Sequence, residues 1–357
     1  MKAGMTMENL AAEIMRQKEN KADYIVHTQE LRVEPCGRSL ILHVFDGNQV
    51  DRVEPLDIGD YAHKQISTFL NIPAKYYNRM LTEYPELLMK NVNGWFSRTG
   101  AQRMLRVLDG RMRAFVSNRY LRIDHHEVSC AVFPILGGIS DIQFLSSQMT
   151  ESRMYIKLAH PELRQQLAPN LTIQSGLLIS NSEIGVGSVN IQPMIYCPEN
   201  EAAMIVQTAT ARRTHTGPVY SADLAFQLRP EQYTLVDGSP FFRRIQETIS
   251  EAFDEERFSQ IIERIQSARA ARMNTDDVAG IVKTVCSEFN VTETEQVGVL
   301  QNLTHRGDMS RFGLANAVTQ YSQQTESYDR ATELEGIGFE ILSIPESHWN
   351  QLNRAAA

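Results

Sequence analysis

The sequence predicts an α+β chain. It has a mostly antiparallel sheet region with packed helices over residues 1–237, then a mainly helical region over residues 238–357 that packs on this core. Three observations carry this. Alternating apolar runs separated by turn residues crowd the first two thirds of the chain. Beyond Asp237-Gly238-Ser239-Pro240, Phe241, Ile245, Ile249 and Phe253 recur at helical spacing. A length of 357 residues exceeds one ordinary core and fits about two or three domains.

The elements follow in order. Residues 1–20 read as a short amphipathic helix, and residues 24–33 and 39–45 as strands with Pro35 and Gly37 between them. Ala62, Ile66 and Phe69 mark one face of a helix over 58–70 that Pro73 stops. A second helix over 75–88 is broken or kinked at Pro85. From Trp95 the pattern changes to alternation, and Asp109-Gly110 supplies a hairpin turn. A helix opens near Asp124 and ends at Gly137-Gly138. Strands are predicted over 154–158, 171–181, 188–196 and 202–210. Five helices follow, one opened by the capping box Thr292-x-x-Glu295, and residues 338–344 read as a strand returning to a sheet.

The formal charge of -8 argues against a chain that coats nucleic acid with its whole surface, though a local basic site is compatible with it. The cysteines, Cys36, Cys130, Cys197 and Cys286, form no C-x-x-C pair and read as reduced, mostly packed thiols. No run reaches the roughly 18 apolar residues of a membrane span. The first residues lack the apolar core of a signal peptide, so the cytoplasm is the expected compartment, with no membrane partner.

The main chemical feature is a segment of seven arginines: Arg98, Arg103, Arg106, Arg111, Arg113, Arg119 and Arg122. Asp109 is the only acid among them, and Trp95, Phe96, Phe115 and Tyr120 lie beside or between them. Guanidinium forks bind phosphate through paired hydrogen bonds. Aromatic faces stack unpaired bases at about 1–3 kcal/mol each. Strand alternation splits the arginines between two faces, with Arg111 and Arg113 sharing one, so some are expected to pair with acids. A second donor cluster is Arg212-Arg213-Thr214-His215-Thr216-Gly217, which reads first as a polar loop ending a strand and otherwise as donors converging on one phosphate. The arginines at 243, 244, 269 and 272 read as a solvated helix face.

Other patterns are poor matches to known chemistry. Gly185 and Gly187 resemble a G-x-G loop, but position 190 is Asn and the run lies between strands, which favours a turn or bulge over a dinucleotide site. His125-His126-Glu127 lacks the i, i+4 spacing of a metal site. No G-x-S-x-G, G-x-x-x-x-G-K or H-E-x-x-H motif is present. No metal, cofactor or catalytic residue is assigned.

Five runs in order resemble one family. They are Ala62-His63-Lys64-Gln65-Ile66 through Ile72-Pro73-Ala74-Lys75-Tyr76-Tyr77 and Met80; Arg113 through Tyr120; Asn181-Ser182-Glu183-Ile184-Gly185; Arg212 through Gly217; and Leu314-Ala315-Asn316-Ala317-Val318-Thr319. Together, over residues 24–345, they resemble the phage/plasmid-like protein family, a domain of unknown function found in phages, prophages and conjugative plasmids. The family often shows a Cys-x-Asn-Gly-like turn where this chain has Cys197-Pro198-Glu199-Asn200. The resemblance implies a setting in which single-stranded DNA is exposed, and by analogy a role like that of single-strand annealing proteins.

The expected function is therefore non-enzymatic binding, and possibly annealing, of single-stranded DNA by a cytoplasmic homo-oligomer, in the host cytoplasm if phage-encoded. Arg106, Arg111, Arg113 and Arg119 would contact phosphates, Phe115 and Tyr120 would stack bases, and Arg212, Arg213 and His215 would form a second contact. One alternative is a mobile-element protein binding a host protein through Phe241, Phe242 and Phe258. The other is an enzyme whose unrecognised site uses His125, His126, Glu183 or His215.

Overall fold

The computed structural model describes residues 1–37, 39–46, 50–206, 211–213 and 240–355. It is α+β, with two sheets in the first part of the chain and helices after them. Helix α1 (Met7–Glu19) starts where the Thr6 hydroxyl accepts from the Asn9 amide, and buries Leu10, Ile14 and Gln17.

The first sheet contains β1 (Lys21–His27), β2 (Leu31–Cys36), β3 (Ser39–Val44), β4 (Leu56–Ile58), β5 (Gln102–Leu108) and β6 (Arg111–Ser117). Their order is β1-β5-β6-β4-β3-β2, antiparallel except between β4 and β6. The run at 24–33, expected as one strand, is two. A 3₁₀ turn at Thr28–Glu30, tied to the Thr99 carbonyl by the Thr28 hydroxyl, sends its halves to opposite edges of the sheet. Asp109 (φ 52°) and Gly110 (φ 73°) form the expected β5–β6 turn, both in the left-handed region that a two-residue hairpin requires.

Three helices cover this sheet: α2 (Asp60–Phe69), α3 (Ala74–Glu83) and α4 (Pro85–Arg98). The helix expected over 75–88 is interrupted at Tyr84 (φ -144°, ψ 69°), because the residue before a proline is pushed out of helical geometry. Pro85 then occupies the first turn of α4, which continues through Trp95 to Arg98. Leu88, Val92 and Phe96 are fully buried on its inner face.

Helix α5 (His125–Leu136) opens with a capping box formed by Asp124 and Glu127. The second sheet contains β7 (Gln143–Met149), β8 (Met154–Ala168), β9 (Leu171–Asn181), β10 (Val189–Cys197), β11 (Ala202–Ile205) and β12 (Ala211–Arg213). Its order is β11-β10-β9-β8-β7, with β12 also paired to β10. The strand expected over 202–210 is seen as β11, and residues 207–210 lie outside the described residues. The 198–201 turn closes without glycine: Glu201 takes the left-handed φ of 52°, and the buried Asn200 donates to Asn316 at 2.9 Å.

One face of this sheet buries Ile156, Leu158, Leu177, Ile179, Val189 and Ile191 with residues of α1, α5 and α6 (Pro240–Ala252). The remaining helices are α7 (Glu255–Ala270), α8 (Val278–Glu288), α9 (Glu293–Arg306), α10 (Arg311–Tyr321), α11 (Tyr328–Leu342) and α12 (Glu346–Ala355). They share a core with Ile173, Ile195 and Met204 of the sheet. The expected strand at 338–344 is instead the end of α11 and the residues after it. α11 is buried on nearly every side, which erases the helical period, and Gly338 lies where a Cβ would overlap Thr319 of α10. Phe258, expected as an exposed contact, is 5% exposed in this core. The side chains of Phe241 and Phe242 and the 237–239 turn lie outside the described residues.

Candidate functional site

The arginine segment divides into two environments. In the first, arginines and carboxylates form a buried cluster where the first sheet meets the chain leaving β9. Arg106 is 3% exposed. Its Nε donates to Asp23 Oδ1 at 2.9 Å, its Nη2 to Asp124 Oδ1 at 2.6 Å and its Nη1 to the Glu183 carbonyl at 2.8 Å. Arg122 Nη1 reaches Asp23 Oδ2 at 3.0 Å. Glu183, 1% exposed, takes Lys21 Nζ at 2.6 Å, Arg113 Nη1 at 3.4 Å and the His125 amide at 2.7 Å. That amide belongs to the N-terminus of α5, where a carboxylate is favoured by the helix dipole.

Burial alone would raise the Glu183 carboxyl, but His125, Lys21, Arg106 and Arg113 hold it well below its ordinary range. Burial opposes the Arg106 charge, yet Asp124, Asp23 and Glu183 raise its pKa well above its ordinary value. Four cations (Lys21, Arg106, Arg113, Arg122) thus meet three carboxylates (Asp23, Asp124, Glu183). Such a cluster fixes one packing of the elements, since removing a partner leaves a buried charge uncompensated.

This placement corrects part of the expected site. Arg106 and Arg113 are enclosed and engaged with acids, so neither is presented to a strand of nucleic acid. Phe115 is 1% exposed, its ring 5.4 Å from that of Phe69 and 5.8 Å from that of Phe96. Tyr120 is 5% exposed, with Arg106 over its ring at 5.7 Å. Neither ring has a free face for a base. Arg111 is exposed but lies 3.4 Å from Glu151 and 3.9 Å from Asp60. Arg119 is exposed and forms no ion pair among the described residues. β12 sets Arg212 opposite Asn190 and Arg213 opposite Val189 in the backbone register; His215 lies outside the described residues.

Of the residues considered for catalysis, His125 and Glu183 converge at 3.9 Å, but both are sealed from solvent. Burial pulls His125 down to about 4. His126 instead meets Lys18 Nζ at 3.2 Å and Cys130 Sγ at 3.7 Å. Cys36 and Cys130 are exposed thiols, Cys197 and Cys286 buried ones, so the expectation of mostly packed cysteines holds for half of them. Among the described residues, no three His, Cys, Asp or Glu side chains gather as a metal ion requires.

The second environment is an open cleft of about 790 Å³ where β5 starts and β6 ends, beside the Arg103–Ser117 pair. Its lining includes Lys64 and Phe69 of α2, Arg103 of β5, Ser117 of β6 and the Gly185–Ser188 loop. Arg103 stands over Phe69 at 4.4 Å and Phe115 at 5.0 Å. Its Nε is buried without a hydrogen-bond partner, and no carboxylate pairs with it among the described residues. Burial draws its pKa down to about 10. Lys64 is exposed over Tyr61 at 5.0 Å, and exposed Arg98, at the end of α4, is also without an ion-pair partner among the described residues.

Gln65 joins the two walls: its Oε1 accepts from the Phe115 amide at 2.7 Å and its Nε2 donates to the Ile184 carbonyl at 2.7 Å. Gly185 has φ +78°, and a Cβ there would stand 2.9 Å from Val116 Cγ1, so a side chain is excluded. A larger cleft of about 950 Å³ lies between α1, the β5–β6 turn and β7, but its arginines are matched by Glu13, Asp109, Glu151 and Glu183. In the 790 Å³ cleft, by contrast, Arg103 and Lys64 have no carboxylate partner among the described residues. Searches of protein-family models, curated proteins and solved structures found no match to this chain.

Proposed function

We propose that this chain binds single-stranded nucleic acid, DNA in preference, without catalysing a reaction, as part of phage or plasmid DNA metabolism. The observation that carries the reading is Arg103. It is a partly buried guanidinium with no acid partner among the described residues, held by two aromatic rings at the wall of an open cleft. An uncompensated cation of this kind is favoured when an anion occupies the cleft, and guanidinium suits phosphate. Lys64, Arg98 and Arg119 add charge that no described carboxylate neutralises. The five runs that resemble the phage/plasmid-like family supply the setting. Annealing of strands, homo-oligomerisation and a place in the host cytoplasm belong to the same proposal.

The test is fluorescence anisotropy of a labelled single-stranded oligonucleotide. Affinity should fall with salt, with a log–log slope near -3 if the four cations each neutralise one phosphate, at about -0.7 per contact. Absence of binding at about 50 mM salt would overturn the reading.

A further inference from the structure

The two tryptophans occupy opposite surroundings. Trp349 is 1% exposed in the helical core, whereas Trp95 is 48% exposed on α4. Four of the nine exposed large apolar residues among those described, Tyr76, Tyr84, Leu87 and Trp95, lie on α3, α4 and the residue between them. Along α4, Leu87, Trp95 and Arg98 are spaced by eight and three residues and fall on one face. Leu88, Val92 and Phe96, centred about 100° round the helix from these three, form the stripe packed on the sheet. Lys90 and Glu86, both exposed, lie on the far flank of the helix, with Lys90 about 140° round from Trp95.

The C-terminal end of α4 leads into β5, which carries Arg103. Only residues 99–102 separate Arg98 from Arg103. Phe115 contacts both the ring of Phe96, next to Trp95, and the guanidinium of Arg103. We propose that the outer face of α4 is a base-stacking platform, with Trp95 its principal aromatic, for a strand whose phosphates meet Arg98 and Arg103; this rests on the nucleic-acid reading above. Arg98, about 60° round from Trp95 on the same side of the helix, favours a polyanion with flat apolar groups over a purely apolar partner.

The experiment uses the full chain and a single-stranded oligonucleotide, with anisotropy for binding and intrinsic tryptophan emission for stacking. Because Trp349 is enclosed, accessible emission reports Trp95. Acrylamide should quench Trp95 in the free protein, and the oligonucleotide should quench its emission in step with the anisotropy. Trp95→Ala should weaken binding about 5- to 150-fold, and Trp95→Phe should lose the emission change while keeping most of the affinity. If the oligonucleotide binds while Trp95 emission and the Trp95→Ala affinity stay unchanged, the platform is overturned and the cleft reading stands. If no oligonucleotide binds, both fall. If Trp95 is shielded from acrylamide in the free protein, a second copy of the chain covers this face and the platform is overturned.

Discussion

Replacing Glu183 with glutamine keeps the side chain's size and an acceptor for the His125 amide but removes the charge that Lys21 and Arg113 face. All three side chains are shielded, at 2%, 10% and 9% exposure for Glu183, Lys21 and Arg113. Breaking a buried pair by removing one partner costs about 3–5 kcal/mol. An unfolding entropy of about 2.1 cal/mol/K per residue over 357 residues gives about 0.75 kcal/mol/K for one cooperative transition. Glu183→Gln should therefore lower Tm by about 4–7 °C at pH 7. The pH dependence supplies a second check. The Glu183 pKa is depressed on folding, so its contribution is fully present above its ordinary value of 4.5 and is lost as pH falls through the folded value. The gap between wild type and variant should narrow below that pH. A variant melting within about 1 °C of wild type at pH 7 would refute the view that this carboxylate anchors the cluster.

The remaining predictions concern other buried features. Lys157 and Glu335, both 0% exposed and 2.5 Å apart, join β8 to α11. Urea unfolding should show Lys157→Met or Glu335→Leu alone to be destabilised by about 3–5 kcal/mol, and the double variant to recover most of the loss. Gly338→Ala should destabilise by about 1–3 kcal/mol, because the added Cβ meets Thr319 at the α10–α11 contact; wild-type stability would contradict that packing. Burial raises the Glu127 carboxyl to about 7, so its stabilisation is complete below its ordinary 4.5 and fades as pH rises through 7. Glu127→Gln, which retains an acceptor for the Asp124 amide, should gain stability over wild type at pH 8 and match it near pH 4, read as Tm against pH.

Local chemistry was legible where one residue decides the geometry. Asp109-Gly110 announced the hairpin, Pro73 the end of α2, Asp124 the start of α5 and Thr292-x-x-Glu295 the start of α9. Partnership across the chain was not. Arg106 meets Asp23 from 83 residues away, and no local pattern records that encounter. A sign was present all the same: Arg106 sits in Met104-Leu105-Arg106-Val107-Leu108 and Arg113 in Met112-Arg113-Ala114-Phe115, apolar runs in which a cation on a doubly covered strand must be paired. Arg103 carries no such sign, because what distinguishes it is the absence of a described acid beside it. The sequence pattern does not predict β7, because its run, Gln143-Phe144-Leu145-Ser146-Ser147, alternates weakly and leaves Phe144 exposed.

Arg103 is the central phosphate contact of the proposed function, and the salt dependence of oligonucleotide binding by Arg103→Gln tests that role most directly. With the unfolding midpoint confirmed near wild type, the variant should bind more weakly, with a log–log salt slope shallower by about 0.7. An affinity and slope equal to those of wild type would contradict it.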